Sequence, residues 1–195
     1  MASPGTDRSA KGPVRRALFV DRDGTLNPDL HYLKDADRLE LLRGVGRGLG
    51  VARDHGFLVV CVTNQSGIER GFYTTEDVAR IHARLNALLR AEGAQVDAFY
   101  YCPHAPETGC PCRKPRTGLF EDARRDWNID FASSAIVGDR ALDIQAGRSI
   151  GLLTAIVPPR HLAAKVAQEL ADAKTEPDIQ APTFESAVMR ILARG

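Results

Sequence analysis

Five short apolar runs, ALFV, FLVVCV, DAFYY, SAIVGD and LLTAIV, recur along the 195-residue chain, each separated from the next by a longer stretch. Runs of this kind, rich in Val, Ile, Phe and Tyr, read as buried strands. Strands alternating with helical segments build a parallel sheet covered by helices on both faces, so the chain is restricted to the α/β class. The clearest helix is TEDVARIHARLNALLRAEG, where Val78, Ile81, Leu85, Leu88 and Leu89 share one face and Thr74 with Asp77 makes an N-terminal cap. A second segment, GVGRGLGVARDHG, keeps helical spacing at Val45, Leu49 and Ala52. There Gly44, Gly46, Gly48 and Gly50 each lower the propensity by about 1 kcal/mol in a helix interior. No three of these glycines make G-x-G-x-x-G and no strand directly precedes them, so the segment is not a dinucleotide fingerprint.

The opening MASPGTDRSAKGP is small, polar and punctuated by Pro and Gly, and is expected to be a disordered tail. We place that tail at residues 1–15 and a single domain at residues 16–195. Lys and Arg number 26 against 25 Asp and Glu, so no strong field for a nucleic-acid backbone or an anionic membrane is expected. Neither a membrane-length apolar stretch nor the apolar core of a signal peptide is present. The expectation is a soluble, cytoplasmic monomer acting on a small molecule, with no nucleic-acid or membrane partner.

Four of the strand ends carry polar clusters. ALFV is followed by DRDGTLN, which places Asp21 and Asp23 two residues apart at the carboxyl end of a strand, the edge where open α/β sheets bind ligands. FLVVCV is followed by TNQSGIERG, with Thr63, Asn64, Gln65 and Ser66 beside a glycine, a composition suited to holding phosphate oxygens and equally that of a hydrogen-bonded turn. Lys114 follows the third strand in RKPRTG; Asp139 and Asp143 follow the fourth. The ordered set asks for one reaction. An aspartate is a competent nucleophile toward phosphorus when a divalent cation offsets the repulsion between carboxylate and phosphate. Asp21, the backbone carbonyl of Asp23 and Asp139 would hold Mg²⁺, which prefers oxygen ligands. The Asp23 side chain is then free for general acid and base work, and Thr63 with Lys114 for binding the phosphoryl oxygens.

With these motifs in order, the sequence resembles the haloacid dehalogenase superfamily of phosphohydrolases over roughly Arg16 to Pro158. The resemblance implies a Rossmann-like three-layer fold with a central parallel sheet, Asp21 as nucleophile, Asp23 as general acid/base, Thr63 and Lys114 as phosphate binders and Asp139 as a magnesium ligand. Within that superfamily, DRDGTLN, VTNQSGIERGFYT, YYCPH, CRKPRTGL and GDRALDI are similar to the heptose 1,7-bisphosphate phosphatases, which serve nucleotide-activated heptose biosynthesis. They are less closely similar to the histidinol-phosphatases. GDRALDIQ and the short gap between His104 and Cys110 lean toward the latter; NQSG, with Ser66, is the heptose form. The heptose resemblance implies sugar contacts from Asp29, Leu30, His31 and Tyr32 and a second phosphate site at Arg113. Arg140 stands where that family commonly has lysine, and the planar guanidinium is not a geometric substitute for an ammonium.

Cys102, His104, Cys110 and Cys112 crowd into CPHAPETGCPC, supplying three thiolates and one imidazole, the ligand set of a closed structural zinc site. Disulfides compete with that reading, but an intracellular protein disfavours them. Such a zinc would pin a loop that has no core of its own and aim Arg113 and Lys114 at the substrate. A zinc-stabilised nucleic-acid module would use the same loop and RKPR, but the balanced charge argues against it. About 35 residues between the first two strands are too few for a large cap domain, so an open site is expected. Cys61 reads as inert core; His55, His82 and His161 read as solvated.

Overall fold

The computed structural model describes residues 12–194. Six parallel strands form one sheet in the order β3-β2-β1-β4-β5-β6. They are β1 (Ala17–Val20), β2 (Leu58–Asn64), β3 (Ala98–Cys102), β4 (Ala135–Gly138), β5 (Leu153–Ile156) and β6 (Ile179–Gln180). The helices between and after them are α1 (Val45–Asp54), α2 (Thr75–Ala91), α3 (Gly118–Trp127), α4 (Ala141–Ser149), α5 (Ala163–Asp172) and α6 (Phe184–Leu192).

Side-chain alternation on β1 sorts the layers. Leu18 and Val20 point into a core built with Val45 and Leu49 of α1, Ile81, Leu85 and Leu89 of α2 and Val188 and Ile191 of α6. Ala17 and Phe19 point the other way, against Phe120 and Ala123 of α3 and Ala146 of α4. Phe19 meets the Phe120 ring at 5.1 Å. Because both faces of β1 are covered, its sequence is a continuous apolar run rather than an alternating one. α5 lies farther out and packs Val166 on Ile144 and Ile156.

The strand bounds agree with the apolar runs to within two residues, β2 running on through Thr63 and Asn64. Thr74 and Asp77 cap α2 reciprocally. The glycine-rich segment is helical as α1, and the glycines serve close packing: a Cβ on Gly48 would stand 2.8 Å from the Phe184 ring of α6. Two readings change. His82 is buried, stacked on Phe99 at 4.2 Å, because its face of α2 lies against β3 rather than in water. Residues 1–11 of the expected tail lie outside the described residues, while Arg15, its last member, is paired with the segment after α3 through Asn128 and Asp130.

Strand order fixes where a site can form. The chain runs outward through β2 and β3, then returns to lay β4 on the other side of β1, so connections leave the carboxyl ends of β1 and β4 in opposite directions and open a crevice. Among the described residues no helix is long and apolar enough to cross a membrane.

Candidate active site

The crevice holds a cleft of about 530 Å³ lined by residues from four strand ends, among them Asp21, Asp23, Thr63, Lys114 and Asp139. Asp21 is set by the last β1 to β4 hydrogen bond, its N–H donating to Val137 at 3.1 Å. The chain then turns at Gly24, whose φ of 84° is left-handed and where a Cβ would stand 2.3 Å from an Asp139 carboxylate oxygen. Glycine is required there on both counts.

Asp21, Asp139 and Asp143 bring their carboxylates within 4.8 Å of one another. Burial pushes Asp21 up to about 6, against the pull of Lys114. Burial, together with Asp21 and Asp143, pushes Asp139 up to about 9. Three hard oxygen donors with so little cationic compensation fit a divalent cation such as Mg²⁺. The sequence pairs Asp21 and Asp139 with the backbone carbonyl of Asp23 as metal ligands; the Asp143 side chain also stands in the cluster. Asp23 turns its carboxylate away, accepting from Arg22 at 2.7 and 3.2 Å, Asn27 at 3.0 Å and Gln65 at 2.9 Å. Burial alone would raise Asp23, but these donors, Arg22 foremost, hold it below the usual carboxylate range.

Lys114 is buried and directs its ammonium to Asp21 at 2.9 Å, Asp143 at 2.7 Å and the Val62 carbonyl at 2.7 Å. Burial would lower its pKa; Asp143 and Asp21 together raise it instead. All three ammonium protons are thereby engaged. Asn64 and Gln65 line the cleft, yet their polar atoms are engaged elsewhere. Asn64 brackets the backbone of Lys114, donating to its carbonyl at 3.2 Å and accepting from its N–H at 3.0 Å. Gln65 ties Asp23 to Thr63 and accepts from Arg22 and Tyr73. Both amides hold neighbours of the site in place.

Toward the mouth, Asp29, His31, Tyr32, Ser66, Arg113 and Arg140 line the cleft, whereas Leu30 does not. His31 and Tyr32 both have left-handed backbone, φ 46° and 59°, and Tyr32 stands edge-on to Phe72 at 4.7 Å. Backbone strain of this kind gathers at ligand-contacting loops. Arg113 donates to the His104 carbonyl at 3.1 Å, which ties it to the cysteine loop. In that loop the sulfurs of Cys102, Cys110 and Cys112 lie 3.2 to 3.4 Å apart, with the His104 Nδ1 at 3.3 Å from Cys112 and 3.6 Å from Cys102. No disulfide links them. Four soft donors converging on one point fit zinc.

Arg22, Asn27 and Tyr73 complete the site and were not singled out from the sequence; Asp143 was placed at the same edge but given no role. Arg22 was concealed by its position: a cation between two acids reads as a solvated neighbour. Asp143 reaches the cluster from the first turn of α4, whereas Asp139 lies before that helix, just past the end of β4.

Three acids gathered at the switch point of a parallel sheet, with no large cap over them among the described residues, define a phosphohydrolase of the haloacid dehalogenase class. The HAD-hydrolase-like family model matches residues 111–187. D-glycero-beta-D-manno-heptose-1,7-bisphosphate 7-phosphatase of Haemophilus ducreyi is 40% identical over 150 residues, 73% of this chain and 82% of that protein. The alpha-specific enzyme of Burkholderia mallei is 37% identical, over 78% of this chain and 84% of that one. A crystal structure of D,D-heptose 1,7-bisphosphate phosphatase from B. bronchiseptica, complexed with magnesium and phosphate, superposes with a TM-score of 0.81. The identity is 30%, covering 92% of this chain and 99% of that one. The chain belongs to the D-glycero-D-manno-heptose-1,7-bisphosphate 7-phosphatase family.

Proposed function

We propose that the protein removes the 7-phosphate of D-glycero-D-manno-heptose 1,7-bisphosphate through an aspartyl-phosphate on Asp21. The observation that carries this reading is the arrangement of Asp21: Lys114 and the Arg22 N–H both hold Oδ1, at 2.9 and 2.8 Å, and Oδ2 has no protein donor among the described residues. Oδ2 would attack phosphorus as the bond to the sugar oxygen breaks, and Asp23 would give that oxygen its proton. Asp23 would then take a proton from the water that splits the aspartyl-phosphate, releasing inorganic phosphate and restoring Asp21. For the first of these steps Asp23 must leave the bonds to Arg22 and Gln65 that hold it ionised, take up a proton from solvent and swing toward the leaving oxygen; the proton it gains from water in the second step returns to solvent when it goes back to Arg22.

Asp21, Asp139, Asp143 and the Asp23 carbonyl would hold Mg²⁺, which supplies charge neutralisation between carboxylate and phosphate. Thr63, whose hydroxyl already accepts from Gln65 at 2.8 Å, is oriented to donate its own proton to a phosphoryl oxygen. Arg113 and Arg140, the two guanidinium groups lining the cleft, would hold the phosphate that stays. Cys102, His104, Cys110 and Cys112 would bind a structural zinc. The names of the relatives support the substrate, and the open cleft supports a sugar carrying phosphates at both ends.

The test is phosphate release from both anomers of heptose 1,7-bisphosphate, from fructose 1,6-bisphosphate and from histidinol phosphate, with Mg²⁺ and with EDTA. Mg²⁺-dependent turnover highest on a heptose bisphosphate is expected. Efficient hydrolysis of histidinol phosphate with none of the heptose would overturn the substrate while leaving the aspartate chemistry in place.

A further inference from the structure

Arg140 is held in a way a lysine could not be. Its Nε donates to Glu169 of α5 at 2.9 Å and its Nη2 to the other carboxylate oxygen at 2.5 Å, a parallel two-bond fork. α5 itself contributes no residue to the cleft. Among the described residues it approaches the site through this carboxylate.

We propose that Glu169 is a positioning residue for substrate: it fixes the plane and direction of the Arg140 guanidinium so that its free edge faces the cleft and holds the phosphate that is not cleaved. This rests on the reading of Arg140 as a substrate contact. A guanidinium has five N–H donors. Two go to Glu169, and the structure records no other acceptor for the rest among the described residues. The backbone of the same residue is fixed separately, its N–H donating to Asp143 at 3.2 Å, and Asp143 in turn pairs with Lys114. Arg140 is therefore anchored at both ends, through the backbone to the catalytic cluster and through the side chain to α5.

Arg113 shows the same device by a different route, since it is anchored through one Nη1 bond to the His104 carbonyl of the cysteine loop. Both guanidinium groups in the cleft are thus pinned from outside it. A free arginine must give up rotamer freedom when it binds an anion, and the pinning meets that loss before substrate arrives; the difference is worth roughly two- to ten-fold in affinity. The pair is half-buried, with side-chain exposures of 33% and 24%, so water weakens but does not dissolve the fork. An ammonium has no plane to fix, which accounts for arginine and glutamate occurring together here.

Steady-state kinetics of the Mg²⁺-loaded enzyme on heptose 1,7-bisphosphate and on p-nitrophenyl phosphate test the proposal in Glu169→Ala, Glu169→Gln, Arg140→Ala and the Glu169→Ala/Arg140→Ala double variant. Glu169→Ala should raise KM for the bisphosphate roughly two- to ten-fold with kcat nearly unchanged. p-Nitrophenyl phosphate, with no second phosphate, should be unaffected. Glu169→Gln keeps one oxygen acceptor for the guanidinium, and should fall between wild type and Glu169→Ala; it also serves if the alanine variant does not fold. In the Arg140→Ala background, Glu169→Ala should add nothing. A lowered KM in Glu169→Ala would show that the carboxylate competes with phosphate, and equal losses on both substrates or additive losses with Arg140→Ala would show a merely structural role; each overturns the proposal alone. Arg140→Ala without a loss selective for the bisphosphate would overturn the substrate reading of Arg140 and the proposal with it. Absence of heptose bisphosphate turnover in the wild type would overturn both together with the proposed function.

Discussion

Arg22 is among the largest fully buried side chains in the protein, and its charge is matched chiefly by the acid next to it. Burial would lower its pKa, but Asp23 raises it, so the cation persists in the interior. Its other contacts are neutral: Gln65 at 3.0 Å and the His82 ring at 3.5 Å. Burial and Arg22 together press His82 down to about 3, so that ring adds no charge of its own at neutral pH. Removing one partner of such a pair leaves an uncompensated charge, at a cost of about 3 to 5 kcal/mol when that charge is buried. Asp23→Asn should therefore destabilise the protein by about that amount, since it strands Arg22. Arg22→Met strands only the better exposed Asp23, which keeps Asn27 and Gln65, and should cost less. The double variant should be more stable than Asp23→Asn alone. Denaturant unfolding of the four proteins reads this directly, and a double variant less stable than Asp23→Asn would refute the account. Asp21→Asn, by contrast, should leave a folded protein that releases no phosphate, because an amide cannot form the aspartyl-phosphate; turnover near wild type would sink the nucleophile assignment. The letters D-x-D were enough to find both acids. They were not enough to show that x holds the second one, because burial of a cation depends on partners such as Gln65 and His82 that arrive from other elements.

β6 is two residues long, too short to show a pattern in the sequence, and it is held by polar contacts rather than by side-chain alternation. Asp178, just before it, accepts from the Thr154 N–H at 2.9 Å and hydroxyl at 2.7 Å, and from Arg148 at 3.3 Å. Burial would raise Asp178, but the Thr154 bonds outweigh it and hold the carboxyl below its usual range. A carboxyl depressed in the folded state stabilises above its unfolded pKa of about 3.9, and that contribution is lost as pH falls through the folded value. Between about pH 5 and 3, wild type should lose stability more steeply than Asp178→Asn. Parallel curves over that interval would exclude Asp178 as a source of acid sensitivity. The cysteine loop is the opposite case: its four donors were found from their type and spacing, and they converge in the structure. One zinc per chain is expected from metal analysis of protein purified without chelator, and none in Cys110→Ser. Loss of that zinc should release the His104 carbonyl and with it Arg113, raising KM for the bisphosphate before the sheet unfolds. A zinc-free protein with unchanged KM would separate the loop from substrate binding.

At the scale of the molecule, the sheet converts spacing along the chain into proximity. β1 and β4 are remote in sequence, yet their register places Val20 beside Val137, and so the residues that follow, Asp21 and Asp139, meet. The alternation of strands and helices made this much readable in advance, because each acid could be assigned to a strand end. Helices α3 to α6 were not assigned, since their apolar faces make sense only against neighbours such as the α1 glycines. The convergence has an energetic consequence that can be measured apart from catalysis. Asp21, Asp139 and Asp143 repel one another in the folded protein and separate when it unfolds, so a divalent cation that joins them binds the folded state alone. At a concentration one hundred times its dissociation constant, Mg²⁺ should add about 2.7 kcal/mol to stability. For a domain of this size that is a rise in Tm of roughly 5 to 10 °C. In Asp139→Asn the cluster loses a ligand and much of the repulsion, so the rise should shrink to about 1 °C or less at the same Mg²⁺ concentration. Thr63→Val, which touches the phosphate rather than the metal, should keep the full rise while losing activity. Equal Mg²⁺ shifts in wild type and Asp139→Asn would mean that the carboxylates crowd together for some reason other than a cation.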